Sequence, residues 1–158
     1  MGRTVINNGF VIDPANRIQS YLNIAIDNGR IAEISRKSLE GDTVIDAEGL
    51  IVTPGFIDCH MHEDPYNADE GRFEIGIFEC MLKMGVTTAI GGNCGIGPDN
   101  IHQYIEAVNT KGIPVNLGLL LPHGILRKME NVNDKYKNAD PIKIKKMKKK
   151  AEELLEIG

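Results

Sequence analysis

Two histidines separated by one residue are the strongest chemical signal in this chain. His60 and His62 follow a short apolar run at 56–57, which a Pro-Gly pair at 54–55 introduces. The Pro-Gly pair favours a sharp entry into a strand, and side chains two positions apart in a strand point to the same face. Two imidazoles at the end of a buried strand supply two ligands for a divalent metal such as zinc. We therefore expect a metal site here rather than two structural histidines.

Cys94 and His123 also follow apolar runs, at 86–91 and 115–121. In parallel β-α folds, ligands and catalytic groups lie at the C-terminal ends of the strands. The sequence therefore predicts that both residues lie at the same end of a sheet as His60 and His62. A thiolate beside imidazoles suits zinc, and the metal would keep the thiol ionised.

From residue 55 onwards, segments typical of strands alternate with segments typical of helices. Strands are predicted at 56–60, 86–91 and 115–121, and helices near 70–84, 99–111 and 141–157. Asp140-Pro141 is a strong helix start, with Asp as the N-cap and Pro at the first helical position. Repeated β-α units indicate a parallel sheet, but three units cannot close an eight-stranded barrel.

Residues 1–54 show a different pattern and form a separate predicted domain. Short strands are predicted at 22–27, 30–34, 44–46 and 50–52. Asn28-Gly29 between the first two is the strongest hairpin signal in the chain. We predict half-exposed antiparallel β structure that serves as a scaffold, followed by the α/β domain at 55–158.

Three segments carry a family resemblance. Residues 52–62 contain Pro-Gly-X-X-Asp-X-His-X-His, residues 85–88 read Gly-Val-Thr-Thr, and residues 92–95 read Gly-Asn-Cys-Gly. The first two resemble the amidohydrolase superfamily, and the third resembles its N-acyl-D-amino-acid deacylases, the D-aminoacylases. The run His-Gly-Ile-Leu-Arg at 123–127 is similar to a segment of the same enzymes, although Pro122 stands where they usually have glycine.

The resemblance implies a fold and a length. Residues 1–54 would be the N-terminal part of a small β-sandwich, and residues 55–158 the first three β-α units of a TIM-type (β/α)8 barrel that is incomplete in this chain. The chain is then expected to be about the first third of such an enzyme.

The resemblance also implies an activity, the hydrolysis of a small N-acyl-D-amino acid to a carboxylate and a free D-amino acid. Cys94 would anchor one tightly bound zinc, and His60 and His62 would line a second, weaker position. The family's general base and two further histidine ligands come from later strands, so no catalytic residue is identified in this chain. The chain alone is expected to be inactive and to need the missing C-terminal part or a complementing chain.

Two residues near the third strand are candidates for substrate binding. Arg127 could bind a substrate carboxylate through two parallel hydrogen bonds or pair with an acid such as Glu130. His123 lies in Pro122-His123-Gly124, where we expect a turn that places it either on the rim of the site or simply on the surface, so it is equally consistent with a substrate-facing or a structural role. Glu63 and Asp64 follow His62 and are predicted to orient the imidazoles.

Composition bears on the binding partners and the cellular compartment of the protein. The chain has 158 residues, 42% hydrophobic residues and a net charge of −4, which gives no general reason to expect nucleic acid or a membrane as partner. Its three cysteines cannot all pair, which favours a reducing, cytoplasmic compartment. Cys59 and Cys80 are predicted to be packing residues, and His102 to lie at the surface.

The last predicted helix is rich in lysine. Apolar residues recur at helical spacing, at Ile144, Met147, Ala151, Leu154 and Leu155, and the lysines fall largely on the other side. No aromatic residue is interleaved with them, so a solvated face is favoured over a nucleic-acid contact.

Two alternatives to the deacylase remain open. One is part of a related cyclic-amide hydrolase of the dihydroorotase or hydantoinase kind, although Gly-Asn-Cys-Gly speaks against it because those enzymes usually bridge their metals with a carbamylated lysine. The other is a non-catalytic metal-binding or partner-dependent protein, whose exposed strand edges would invite aggregation.

Overall fold

The computed structural model describes residues 2–134 and 136–157. The chain divides into two compact units, Met1–Pro54 and Gly55–Gly158. The division falls within the Pro-Gly pair that precedes the His-X-His segment.

The first unit is a five-stranded sheet. Its strands are β1 (Thr4–Asp13), β2 (Ile18–Asp27), β3 (Arg30–Ser35), β4 (Thr43–Asp46) and β5 (Ile51–Val52). The order is β3-β2-β1-β4, and β5 also pairs with β1. The hairpin between β2 and β3 is confirmed, and its turn uses positive φ angles at Asn28 (50°) and Gly29 (73°).

The expectation that this unit is wholly antiparallel is wrong, because β4 and β5 run parallel to β1. The segment after β3 crosses to the far side of β1 instead of turning back as a hairpin. Buried Asn7 in β1 fixes this crossing, since its side chain accepts a hydrogen bond from Leu39 N (3.1 Å) and donates one to Leu39 O (3.0 Å).

The second unit alternates strands and helices. Its elements are β6 (Phe56–Asp58), β7 (Tyr66–Asn67), β8 (Arg72–Phe73), α1 (Ile77–Lys83), β9 (Val86–Gly91), α2 (Ile101–Lys111), β10 (Asn116–Leu119), α3 (His123–Met129) and α4 (Pro141–Leu155). Strands β6, β9 and β10 form a parallel sheet in the order β10-β9-β6. The predicted parallel sheet is confirmed, and it is open, with β6 and β10 at its edges in the part of the chain that the structure describes.

Two predictions for the second unit are wrong. The helix expected near 70–84 spans only Ile77–Lys83, because β7 and β8 form a hairpin before it and the backbone at Ile75 (φ 73°) and Gly76 (φ 84°) is left-handed. The turn expected at 122–124 is the start of helix α3, which buries Ile125 and Leu126.

Helix α4 packs through only part of its apolar stripe. Met147 and Leu154 are buried in a cluster with Ile101 and Leu126, whereas Ile144 and Leu155 are 41% and 67% exposed. The helix begins as predicted, with the Asp140 carboxylate accepting a hydrogen bond from Lys143 N at 2.9 Å. In the described residues no helix has the length and apolar character needed to cross a membrane.

Candidate metal centre

His60 and His62 lie in the segment that follows β6, where the backbone bends at residues 59–60, and both are exposed. Met61 between them points the other way, into the apolar core, and its backbone N–H donates to Ile90 O at 3.3 Å. The Asp58 carboxylate accepts a hydrogen bond from His60 N at 3.0 Å. The alternation expected of a strand therefore continues past the end of β6, and it leaves both imidazoles on one face.

Cys94 lies in a tight 3₁₀ turn after β9, at residues 93–95. Its backbone is left-handed, with φ of 58°, between Gly92 (75°) and Gly95 (72°). A left-handed residue with a side chain costs about 1–2 kcal/mol, so the surrounding contacts must hold it there. A Cβ on Gly92 would collide with the Leu120 carbonyl oxygen, which explains why glycine stands at that position.

Three ligand atoms meet in front of the sheet. Atoms of His60, His62 and Cys94 all lie within 4.8 Å of one another. His60 Nε2 and Cys94 Sγ are 3.3 Å apart, and the two imidazole centroids are 6.1 Å apart. Ligands in a tetrahedral zinc site are about 3.3–3.8 Å apart, given the usual Zn–N and Zn–S bond lengths. One nitrogen–sulfur pair already has this spacing, and the donor set of two imidazoles and one thiol fits zinc.

Two side chains join the histidine segment to the cysteine turn. Buried Asn93 donates from Nδ2 to Ile90 O (2.6 Å) and Met61 O (3.3 Å). Glu63 accepts a hydrogen bond from Gly92 N at 2.8 Å. The sequence pattern did not assign these roles, because neither contact follows from residue spacing within one strand.

The prediction that Asp64 orients the imidazoles is wrong. Its buried carboxylate accepts hydrogen bonds from Ile77 N (2.9 Å) and Phe78 N (3.1 Å), so it caps the first turn of α1. The Tyr104 hydroxyl donates to Asp64 O at 2.8 Å. Burial raises the pKa of Tyr104 well above its usual value, and the charges of Glu63 and Asp64 add to this, so Tyr104 remains a donor.

His123 and Arg127 lie on α3 and line a groove of about 470 Å³ that also contains Cys94 and Lys128. The Arg127 guanidinium donates to two carbonyl oxygens, Asp134 O at 2.8 Å and Lys137 O at 2.9 Å. The suggested pair with Glu130 does not form, because Glu130 faces Lys146 at 3.7 Å. His123 is exposed at the first position of α3.

The remaining cysteines and histidine do not join the centre. Cys59 and Cys80 are exposed, so the prediction that they are packing residues is wrong. His102 is exposed on α2, as predicted. A second groove, of about 440 Å³, contains His62, Glu63, Asp99 and Tyr104. Two of the three clustered candidate ligands thus line grooves, His62 the second groove and Cys94 the first.

Residues 43–147 match the amidohydrolase family, and the chain belongs to that family. Members of the family are hydrolases that act on C–N bonds. The mixed α/β fold matches that of D-aminoacylase, with a TM-score of 0.74 at 25% identity over 90% of this chain and 34% of the other.

Two further proteins resemble this chain. The chain is 33% identical over 141 residues to a dihydroorotase of Aquifex aeolicus, covering 86% of this chain and 33% of that enzyme. A zinc-containing N-acyl-D-glutamate deacylase of Bordetella bronchiseptica, solved with a phosphonate inhibitor, has the same fold at a TM-score of 0.74, with 23% identity over 91% of this chain and 34% of the other. The chain thus spans about a third of the length of these proteins.

Proposed function

We propose that this chain forms part of a zinc-dependent amidohydrolase that hydrolyses the amide bond of N-acyl-D-amino acids. The observation that carries this proposal is the meeting of His60, His62 and Cys94 within 4.8 Å at the C-terminal ends of two parallel strands. The likeness to the D-aminoacylase fold and the Gly-Asn-Cys-Gly motif around Cys94 support the choice of substrate class.

In this proposal Cys94 anchors one tightly bound zinc, and His60 and His62 line a second, weaker position. Zinc in such a site lowers the pKa of a bound water to about 7 and polarises the amide carbonyl. The contribution of this chain is to hold two imidazoles and one thiolate on one face with their rings and sulfur already close together.

The general base is proposed to lie outside these 158 residues. The two acids beside the histidines have other partners, since Glu63 accepts from Gly92 N and Asp64 caps α1. The sheet of β6, β9 and β10 is proposed to be the first part of a barrel, and residues 1–54 part of a β-sandwich. Phe56 and Ile57 on the edge strand β6 are 56% and 65% exposed, which favours coverage by further chain.

Arg127 and His123 are proposed to receive the carboxylate of the substrate. Both line the groove that Cys94 enters. The guanidinium of Arg127 donates to uncharged carbonyl oxygens, and none of the ion pairs among the described residues includes it. Its positive charge therefore stays available to an anionic ligand.

A cyclic-amide hydrolase is the second candidate, because the dihydroorotase of Aquifex aeolicus is 33% identical over 86% of the chain. The two functions differ in substrate. Dihydroorotate carries its scissile amide inside a ring, whereas an N-acyl-D-amino acid carries it in an open chain.

The two candidates are separated by assaying the zinc-loaded protein made from its native gene. We expect hydrolysis of N-acetyl-D-amino acids, little hydrolysis of the L enantiomers, and loss of activity in Cys94→Ala. Hydrolysis of dihydroorotate but not of N-acetyl-D-amino acids would replace the deacylase with the cyclic-amide hydrolase. Absence of both activities in a zinc-loaded protein would contradict both.

A further inference from the structure

Glu63 connects the two halves of the candidate metal centre. It follows His62 directly, and its Oε2 accepts a hydrogen bond at 2.8 Å from Gly92 N, two residues before Cys94. Glu63 and Gly92 are 29 positions apart in sequence. One side chain therefore bridges the segment that carries both imidazoles and the turn that carries the thiol.

The carboxylate of Glu63 lies in a slot made of glycine backbone. A Cβ on Gly91 would collide with Glu63 Oε2, and a Cβ on Gly97 would come within 3.3 Å of Oε1. The carboxylate therefore lies directly against the backbone at both glycines. Together with the hydrogen bond from Gly92 N, these close approaches place the Glu63 carboxylate against the backbone that leads into the cysteine turn.

No ion pair in the described part of the chain neutralises Glu63. It is half-buried in a groove that also contains Asp64 and Asp99, so its neighbours there include like charges. A backbone N–H that donates to a carboxylate makes a stronger bond than one that donates to a neutral acceptor. Such a bond can hold a turn whose central residue, Cys94, has an unfavourable left-handed backbone.

We propose that Glu63 is a positioning residue that holds Cys94 Sγ next to His60 and His62 through Gly92. This inference rests on the proposed metal site, and it assigns to Glu63 the placement of the thiolate rather than of the imidazoles. Partners beyond the ligands typically change metal affinity by about 10–100-fold when they are removed.

The test is Co²⁺ binding to the full chain, followed through the thiolate-to-cobalt charge-transfer band. We expect Glu63→Ala to weaken Co²⁺ binding by about 10–100-fold and to reduce this band relative to the bands of imidazole-bound cobalt. Glu63→Gln should retain most of the affinity, because its amide oxygen can accept the same hydrogen bond. Glu106→Ala, which removes an exposed acid from α2, is the matched control and should change nothing.

The outcomes separate this inference from the function on which it rests. A wild-type chain that binds Co²⁺ without a thiolate band contradicts the metal site and the inference together. A wild-type band that survives unchanged in Glu63→Ala contradicts the inference alone. If Glu63→Ala does not fold, Glu63→Gln decides, since a folded Gln variant that has lost the band would overturn the role of the hydrogen bond.

Discussion

At the scale of single residues, Cys94 combines an unfavourable backbone with a short contact to a candidate co-ligand. Its φ is 58° and its Sγ lies 3.3 Å from His60 Nε2. A buried packing cysteine would need neither feature, and Cys94 is exposed. We propose that the strained turn serves to hold the sulfur close to the imidazole pair.

We expect Cys94→Ser to reduce zinc affinity by at least about 100-fold, because losing a ligand should cost no less than losing a residue that supports one. Zinc retained after dialysis against a weak chelator measures this. Cys59→Ser and Cys80→Ser are matched controls and should retain zinc like the wild type. Equal zinc content in all three variants would mean that Cys94 is not a ligand.

Gly92 allows a second residue-scale prediction. Gly92→Ala should lower the free energy of unfolding by more than about 1–2 kcal/mol, because it adds a clash with Leu120 O to the cost of a left-handed alanine. Gly71→Ala is the control, since Gly71 also has a positive φ (65°) but its nearest new neighbour would be Lys111 Nζ at 3.7 Å. Equal losses in urea unfolding would show that the turn can relax around the new methyl group.

At the scale of elements, the sequence predicts the strands, turns and helix starts that local residue patterns determine. The parallel strands at 56–58 and 86–91, the Asn28-Gly29 hairpin and the Asp140 cap follow from local patterns that the structure retains. The crossing of the chain after β3 could not be predicted from local patterns, because it depends on a contact between Asn7 and Leu39, which are 32 residues apart.

The difference between local patterns and contacts distant in sequence also explains which parts of the candidate site were predicted. The proximity of His60, His62 and Cys94 could be anticipated, because all three residues follow the ends of neighbouring strands. The roles of Glu63 and Asp64 could not, because each acid is adjacent to the histidines in sequence but binds a backbone N–H far along the chain. Helix α3 was missed because its seven residues are too few to show a clear helical period.

Asp64 provides the element-scale prediction. Asp64→Ala removes two hydrogen bonds from the first turn of α1, and we expect it to lower the free energy of unfolding by about 1–3 kcal/mol. Zinc affinity of the folded variant should stay close to that of the wild type, because Asp64 touches the helix and not the imidazoles. A large loss of zinc affinity with unchanged stability would restore the orienting role that the sequence suggested.

At the scale of the whole molecule, the chain supplies a candidate metal centre and part of a longer fold. It spans about a third of the length of the D-aminoacylase whose fold it matches. Large apolar side chains such as Ile57, Ile75 and Met84 are 65%, 78% and 65% exposed.

We therefore expect the isolated 158-residue chain to bind zinc without hydrolysing N-acyl-D-amino acids. The missing activity follows from the proposed location of the general base outside these residues. The release of free D-amino acid by the purified 158-residue chain is measured and compared with its release by the protein made from the native gene. Turnover by the isolated chain that zinc removal abolishes would show that the base lies within it.

The most direct measurement is X-ray absorption at the zinc edge of the zinc-loaded protein. We expect one sulfur ligand at about 2.3 Å and nitrogen ligands at about 2.0–2.1 Å, with the sulfur absent in Cys94→Ser. A zinc surrounded only by nitrogen and oxygen in the wild type would contradict the His60, His62 and Cys94 centre.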